Sequence, residues 1–356
     1  MKSPLVTVII VNSNAGELLV QSVHGVLSSD SPVEIIVVDN GSVDGSIERL
    51  RSVYGLSERV TIVELRENTG FTHANNLAIG MTKGEYILAL NPDNIIQPDT
   101  ISGMLKVLAA DPDAGMAGCL IKNPDGSEQA GCRRAVPTPW RTVVRILHLD
   151  KIFPSHPRFR NFVLSQTPLP DNPVYVEAIS GAFMLIKKEA LSEVGLMDEA
   201  YFIHCDDLDW CMRFRQLGWK ILFVPNIVAV HHKGACSYKK PVFVLWHKHR
   251  GMVYFYKKFF KHQYPAPLMW FVIGTVWARF IGLVCIEGIK LLKNRGVSGR
   301  EYEPGKLASK IKSIPLPSET KILQTSKLPT SHDDEIKSIP VPLDKVQDNN
   351  IQAGPL

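Results

Sequence analysis

No CxxC pair and no disulfide-like spacing occurs among the six cysteines, Cys119, Cys132, Cys205, Cys211, Cys236 and Cys285. That pattern excludes a disulfide-stapled scaffold and is expected of free thiols in a reducing compartment. The first apolar run, Val6 to Val11, is short and ends in Asn12-Ser13-Asn14 with no small-residue cleavage site, so it does not read as a signal peptide. The catalytic part is therefore expected in the cytoplasm. No GxGxxG follows that run; Asn12-Ser13-Asn14-Ala15-Gly16 stands in its place. A dinucleotide-dependent oxidoreductase, which a βαβ start would otherwise allow, fails on this point. The charge excess is also small. A formal net charge of +5 over 356 residues gives no case for a nucleic-acid partner.

What is present suffices for a large core: 45% of the residues are hydrophobic and 21% charged. Length allows two or three domains. Val6 to Val11, Glu34 to Val38, Val60 to Leu65 and Tyr86 to Leu90 read as short buried strands. Helical patterns lie between them, at Leu18, Leu19, Val23 and Leu27 and near Ala74 to Ile79. This alternation predicts an α/β fold with a Rossmann-like, mainly parallel sheet flanked by helices. Polar residues gather just after the strands, where open α/β sheets bind ligands. Residues 123–175 are rich in Pro, Arg and Gly and read as a long irregular or mobile excursion over the site. Strand and helix signals return at Val176 to Lys187, Leu208 to Leu217 and Lys220 to Val224. Three regions follow: 1–240 as the catalytic domain, 241–295 as C-terminal amphipathic or membrane-associating helices, and 296–356 as a disordered tail. The tail repeats Ile311-Lys312-Ser313-Ile314-Pro315 as Ile336-Lys337-Ser338-Ile339-Pro340, either a docking motif or plain solvated chain.

Five polar groups could carry chemistry, and each also has a purely structural reading. Asp39, before Asn40-Gly41-Ser42, is either an Asx turn or a carboxylate for a base or ribose. Glu67-Asn68-Thr69-Gly70-Phe71 with Asn75-Asn76 is either a helix start or a donor-and-acceptor lining that Gly70 lets a ligand approach. Asp93 in Asn91-Pro92-Asp93-Asn94 is either a Pro-Asp turn or an oxygen ligand for Mg²⁺ or Mn²⁺ bridging a diphosphate. Asp206-Asp207-Leu208-Asp209 either favours a helix N-terminus by its charge or supplies a general base. His231-His232 is either structural or completes a metal shell.

In this order the groups resemble glycosyltransferase family 2 with its GT-A fold, and most of all the bacterial rhamnosyltransferase branch. The matching segments are Val6 to Asn14, Val37-Val38-Asp39-Asn40-Gly41-Ser42, Asn68-Thr69-Gly70-Phe71, Asn75-Asn76, Leu90-Asn91-Pro92-Asp93, Ser180-Gly181-Ala182, Asp206 to Arg213 and His231-His232-Lys233-Gly234. The resemblance covers roughly residues 4–240. It implies a nucleotide-sugar site at Val11, Asn12, Ser13, Asp39, Asn68, Gly70, Asn75, Asn91 and Asp93. It implies a metal held by Asp93 and His231, an acceptor side at Gly181, Ala182, Asp206 and Asp209, and Asp207 as the base of an inverting displacement. Two departures stand out. Asn91-Pro92-Asp93 keeps one carboxylate where a DXD-type motif has two, and Asp206 replaces a Glu.

The implied donor is a dTDP- or UDP-sugar, with dTDP-rhamnose as the branch-level choice, and the acceptor a glycan or lipid-linked hydroxyl in cell-surface polysaccharide synthesis. A UDP-galactose or UDP-glucose transferase is the alternative, and a non-catalytic nucleotide-sugar binder the second. Leu268 to Leu292 is long enough to span a bilayer, but Arg279 and Glu287 interrupt it. With the aromatic and basic residues before it, peripheral contact with the inner face of a bacterial cell membrane is expected. A span, packing on the catalytic domain and a homo-oligomer contact stay open.

Overall fold

The structure is a computed structural model that describes residues 4–153, 156–159, 162–236 and 241–295, with side chains described as far as residue 290. The repeated tail motif and the whole 296–356 region lie outside the described residues.

β1 (Val6–Asn12), β2 (Val33–Asn40), β3 (Val60–Leu65) and β4 (Tyr86–Leu90) alternate with α1 (Glu17–Leu27), α2 (Ser46–Tyr54) and α3 (Phe71–Ile79). Then come β5 (Asn94–Ile96), α4 (Thr100–Ala109), β6 (Ala114–Lys122), β7 (Arg133–Arg134), α5 (Pro139–Ile146) and α6 (Leu149–Ile152). The chain continues through β8 (Val174–Val176), β9 (Ala178–Ile179), β10 (Phe183–Lys187), α7 (Lys188–Val194), α8 (Asp206–Gln216) and β11 (Lys220–His231). It closes on α9 (Pro241–Phe260) and α10 (Ala266–Arg295).

Among the described residues, nine strands share one sheet in the order β3-β2-β1-β4-β10-β6-β11-β5, with β8 paired to β11. β1, β2, β3 and β4 are parallel, as their unbroken Val/Ile character predicts. Beyond β4 the sheet is mixed, because β10 runs antiparallel between β4 and β6. The strand order turns back at β1, whose neighbours are β2 and β4. That reversal opens the ligand crevice of open α/β sheets at the strands' carboxyl ends.

Alternation along each strand splits the core into two faces. Val6, Val8 and Ile10 pack with Ile35, Val37, Leu88 and Leu90 beneath α1 and α4. Ile9 and Val11 pack with Ile36, Val38, Ile87 and Ala89 beneath α3 and α8. Each such fully buried aliphatic side chain contributes roughly 1.5–3 kcal/mol, so β1 anchors both faces.

The expected excursion 123–175 is less irregular than composition suggests. Thr138 caps α5, accepting from Arg141 N with Pro139 in the first turn, and Val143 and Val144 are buried. β7 pairs with β9, which ties this segment to the strand leading into Gly181. The strand signals at Lys220 to Val224 and Ile227 to Val230 fuse into one strand, β11, with a register shift between Val224 and Val228.

α9 buries Phe255, Tyr256, Phe259 and Phe260 in the second core face, so it is part of the folded body. α10 differs. Ala266–Lys290 is long and apolar enough to cross a membrane, yet only 11% of its most apolar stretch is buried. Trp270, Phe271, Ile281, Ile286 and Ile289 are exposed.

Candidate active site

The strand ends place three polar clusters along one edge. The first joins β1 and β2, where Asn12 pairs in register with Asp39. Asn12 Nδ2 donates to Asp39 Oδ1 at 2.7 Å and lies 2.8 Å from Ser46 Oγ and 2.9 Å from Ser42 Oγ. Ser42 N donates to Asp39 Oδ2 at 3.1 Å, so each carboxylate oxygen has a protein donor. Val11 and Asp39 are buried and Ser13 is half-buried beside them. This network orients the carboxylate; the turn and the ligand readings of Asp39 share one geometry.

Asn68 closes the next loop. Its Oδ1 accepts from Asn40 Nδ2 and Gly70 N, and its Nδ2 reaches Ser13 Oγ at 3.4 Å. Gly70 has φ +98°, and a Cβ there would meet Phe202 at 3.0 Å, so only glycine fits. Asn75 turns inward: its Nδ2 donates to Phe71 O, and it stands apart from the first cluster's hydrogen bonds. Asn76 is likewise a clamp, on Met197 and Glu199.

The second cluster surrounds Asp93, which follows β4. His231, at the end of β11, sets its Nε2 3.0 Å from Asp93 Oδ1 and 3.2 Å from Asn91 Nδ2. Its Nδ1 meets Gln129 Oε1 at 2.7 Å. Gln129 Nε2 is committed to Asn123 Oδ1 and His231 O, so Gln129 Oε1 accepts and Nδ1 carries the proton. With the proton on Nδ1, the Nε2 lone pair faces both the Asp93 carboxylate and the Asn91 amide, which is placed to donate to it. Nε2 and Asp93 Oδ1, 3.0 Å apart, are spaced so that one cation can take both as ligands. One carboxylate oxygen and one imidazole nitrogen, with the far ring nitrogen held by an amide, suit a divalent ion. Among the described residues no group of three or more His, Cys, Asp or Glu forms a complete protein shell, so other ligands would have to complete it. That is the usual situation of Mg²⁺ bound with substrate phosphates.

The third cluster surrounds Asp207 in the first turn of α8. Asp207 Oδ2 accepts from Gly181 N at 3.1 Å and pairs with Arg134, and its Oδ1 accepts from Leu208 N at 2.8 Å. Arg134 also donates to Ile179 O. Asp206 is buried, and burial first, then the neighbouring Asp207 charge, pushes its carboxyl up to about 7. His204 and Cys205, just before, both hold the left-handed conformation at φ +66°. Two consecutive non-glycine residues in that region are strained, and such strain concentrates where a site must be held in place. Burial first and then Lys248 hold the His204 imidazole down, to about 4.

One dipeptide joins the last two clusters. Ala182 O accepts from Asn91 N at 3.1 Å and Asn94 Nδ2 at 2.8 Å, while the adjacent Gly181 N holds Asp207. Asp209 is engaged elsewhere. Its fully buried carboxylate binds Arg213 Nε at 2.8 Å and Lys258 Nζ at 2.5 Å, toward α9. Sequence reasoning passed over Gln129, Arg134 and His204. The first two sit in the segment without periodicity, 102 and 73 residues from their partners, and nothing local marks them.

The model of the family described as "Glycosyl transferase family 2" matches residues 7–194. A relative is the N-acetylglucosaminyl-diphospho-decaprenol L-rhamnosyltransferase of Mycobacterium tuberculosis, 27% identical over 264 residues, covering 71% of this chain and 84% of that protein. Rhamnosyltransferase WbbL of Escherichia coli is 26% identical over 174 residues, covering 46% of this chain and 61% of its own. The solved mannosyltransferase PcManGT of Pyrobaculum calidifontis, in complex with GDP-Man and Mn²⁺, shares the fold at a TM-score of 0.51 and 19% identity, covering 87% of this chain and 80% of that one. With the strand order and the three edge clusters, these matches place the chain in glycosyl transferase family 2, as a glycosyltransferase of GT-A fold.

Proposed function

We propose that the protein is an inverting transferase that moves rhamnose from dTDP-rhamnose to a hydroxyl of a lipid-linked glycan acceptor, in cell-surface polysaccharide synthesis. The observation that carries this reading is the Gly181–Ala182 link, which fixes the Asp207 carboxylate relative to the Asp93 and His231 pair. A base for the attacking hydroxyl and a site for the departing diphosphate need such a fixed separation. The choice of sugar and of a diphosphate-lipid acceptor is supported by the named activity of the M. tuberculosis relative.

Asp207 takes the acceptor hydroxyl proton on a carboxylate oxygen. Arg134 pairs with one of its oxygens and holds it in place. Gly181 N and Leu208 N orient it. Asp206, buried next to it in the chain, has a raised affinity for a proton through burial first and then the Asp207 charge. Asp39, held by Asn12 and Ser42, offers a carboxylate edge to the base or ribose. Asp93 and His231 would hold a divalent cation, which as a Lewis acid stabilises charge on the leaving diphosphate. The exposed apolar face of α10 supports peripheral contact with the inner face of the membrane, where a lipid-linked acceptor resides.

The test is a thermal-shift and donor-hydrolysis panel of UDP-, dTDP- and GDP-sugars, each with Mg²⁺ or Mn²⁺. Cation-dependent stabilisation by dTDP-rhamnose above the others is expected. A preference for UDP-galactose or UDP-glucose would replace the sugar assignment, and no response to any nucleotide would overturn the enzymatic reading.

A further inference from the structure

Gly251 stands in the middle of α9, where glycine weakens a helix relative to alanine. Its surroundings account for it. A Cβ at this position would stand 3.1 Å from His204 O, 3.4 Å from Tyr201 Cδ1 and 3.6 Å from Cys205 Cβ. α9 thus presses bare backbone onto the turn before Asp206, where His204 and Cys205 both hold φ +66°. Further contacts run along the same stripe of the helix, three or four residues apart. The rings of Phe243 and His247 lie 5.4 and 4.4 Å from that of Phe202, and the ring of Tyr254 lies 5.0 Å from that of Tyr201. Tyr254 Oη and Lys258 Nζ donate to Asp198 Oδ2 at 3.1 and 2.6 Å.

The other side of this segment is fastened to α3. Asn76 Nδ2 donates to Met197 O and Met197 N to Asn76 Oδ1, both at 2.9 Å. Thr72 Oγ1 donates to Tyr201 O at 2.6 Å and Phe71 N to Phe202 O at 2.8 Å. Residues 197–202 are therefore held between α3 and α9. Those bonds end at Phe202, and the chain then runs through His204 and Cys205 to Asp207, whose carboxylate meets Gly181 N at 3.1 Å. We propose that Gly251 is a positioning residue for the base: its missing side chain lets α9 seat against the His204–Cys205 turn and so aims the Asp207 carboxylate. The proposal rests on the reading of Asp207 as the base. A side chain at 251 would push His204 O aside by a few tenths of an ångström, and the slack lies toward Asp207. Misplacement of a reacting group on that scale lowers the rate without touching the chemistry itself.

Gly251→Ala and Gly282→Ala are compared in full-length protein in neutral detergent. Alanine favours the helix at both positions, but a Cβ on Gly282 of α10 meets nothing within 4 Å. Transfer is measured from dTDP-rhamnose to a synthetic N-acetylglucosaminyl-diphospho-prenol, the class that the name of the M. tuberculosis relative gives. Gly251→Ala is expected to lower kcat about three- to tenfold, a fraction of what a full ångström of misplacement costs. The melting temperature stays at or above that of the wild type, and the Kd for dTDP-rhamnose is unchanged. Amide hydrogen exchange supplies a readout that needs no turnover. Peptides spanning 203–208 and 179–182 should exchange faster in Gly251→Ala, as Asp207 loosens from Gly181 N. Gly251→Ser, a second small side chain at the same place, repeats both changes, and Gly282→Ala shows neither.

Wild-type rate and exchange in Gly251→Ala overturn the proposal. A fall in rate matched by a fall in melting temperature does so too, since Gly251 would then be a packing position only. An equal loss in Gly282→Ala would make the effect one of stiffening a helix, and is a third contradiction. Weaker binding of dTDP-rhamnose in Gly251→Ala would carry the displacement through Phe202 to Gly70 and the donor, against an action confined to the base. A wild type that transfers from no nucleotide sugar removes the transferase reading alone. Hydrogen exchange still decides the positioning in that case: faster exchange at 203–208 and 179–182 upholds it, and unchanged exchange refutes it.

Discussion

The two halves of the sheet build their shares of the site in different ways. From β1 to β4, each polar group lies at or just beyond the end of the strand that positions it: Asn12 ends β1, Asp39 is near the end of β2, and Asn68 and Asp93 follow β3 and β4. Beyond β4, groups meet across long stretches of chain: Arg134 with Asp207 over 73 residues, Gln129 with His231 over 102 and Asp93 with His231 over 138. The parallel half is a local construction repeated along an edge. The mixed half is held by ion pairs and amide contacts that exist only once the fold is complete. The first half is therefore expected to carry the donor, and the second the base and the acceptor.

The largest effect that would break this division is on turnover. Asp207→Asn is expected to lower the rate of transfer by roughly 10²–10⁴, the usual contribution of a positioned base, while donor affinity stays within about twofold. Steady-state and single-turnover kinetics with a titrated donor read both quantities. Near-normal turnover would remove Asp207 from the role.

Next is the contact behind His231. Gln129→Leu frees the imidazole to change tautomer, and the concentration of Mn²⁺ needed for half-maximal donor binding should rise roughly 10–100-fold. An unchanged requirement would show that Gln129 does not orient the ring.

Asp209, two residues beyond Asp207 on α8, sharpens the comparison from the structural side. Asp209→Ala strands Arg213 and weakens the hold on Lys258, and should cost about 3 kcal/mol of stability in a denaturant titration. The folded fraction of that variant should turn over at a near-normal rate. A loss of rate without loss of stability would move Asp209 into the acceptor site.

His204 gives a smaller, pH-dependent effect. Its folded pKa of about 4 lies below the ordinary 6.5, so below pH 6.5 the unfolded chain takes up a proton that the fold refuses. Its contribution is fully present above pH 6.5 and is lost as pH falls toward 4, by at most about 3 kcal/mol. His204→Asn, which tolerates the left-handed backbone, should flatten that acid limb in melts at successive pH values. An unchanged limb would mean that the ring titrates freely in the fold.

The smallest effect concerns α10. Trp270→Ser with Ile281→Lys, both at exposed positions, should reduce co-sedimentation with vesicles and leave the melting temperature within a few degrees. Unchanged sedimentation would argue against membrane contact through this face.

The contrast between the halves also explains what could be read in advance. Tyr86 to Leu90 and Val60 to Leu65 coincide with strands as predicted, because an unbroken apolar run fixes a buried strand by local chemistry alone. The edge residues after those strands could be picked out for the same reason. The antiparallel insertion of β10 was not legible, since strand direction depends on a crossover rather than on residue type. Nor were Gln129 and Arg134, whose segment lacks periodicity and whose partners are distant. Composition did not separate α9 from α10. Both are apolar and basic, yet α9 docks four aromatic rings in the core while α10 leaves Trp270 and Ile281 outside.

The measurement that tests the account most directly is the dissociation constant of one nucleotide sugar, in the presence of Mn²⁺, for the wild type, Asp93→Asn and Asp207→Asn side by side. Loss of donor affinity on the order of tenfold or more in Asp93→Asn, with Asp207→Asn matching the wild type, is the predicted result. Equal losses in both variants, or a loss confined to Asp207→Asn, would contradict the assignment of donor and acceptor to the two halves of the sheet.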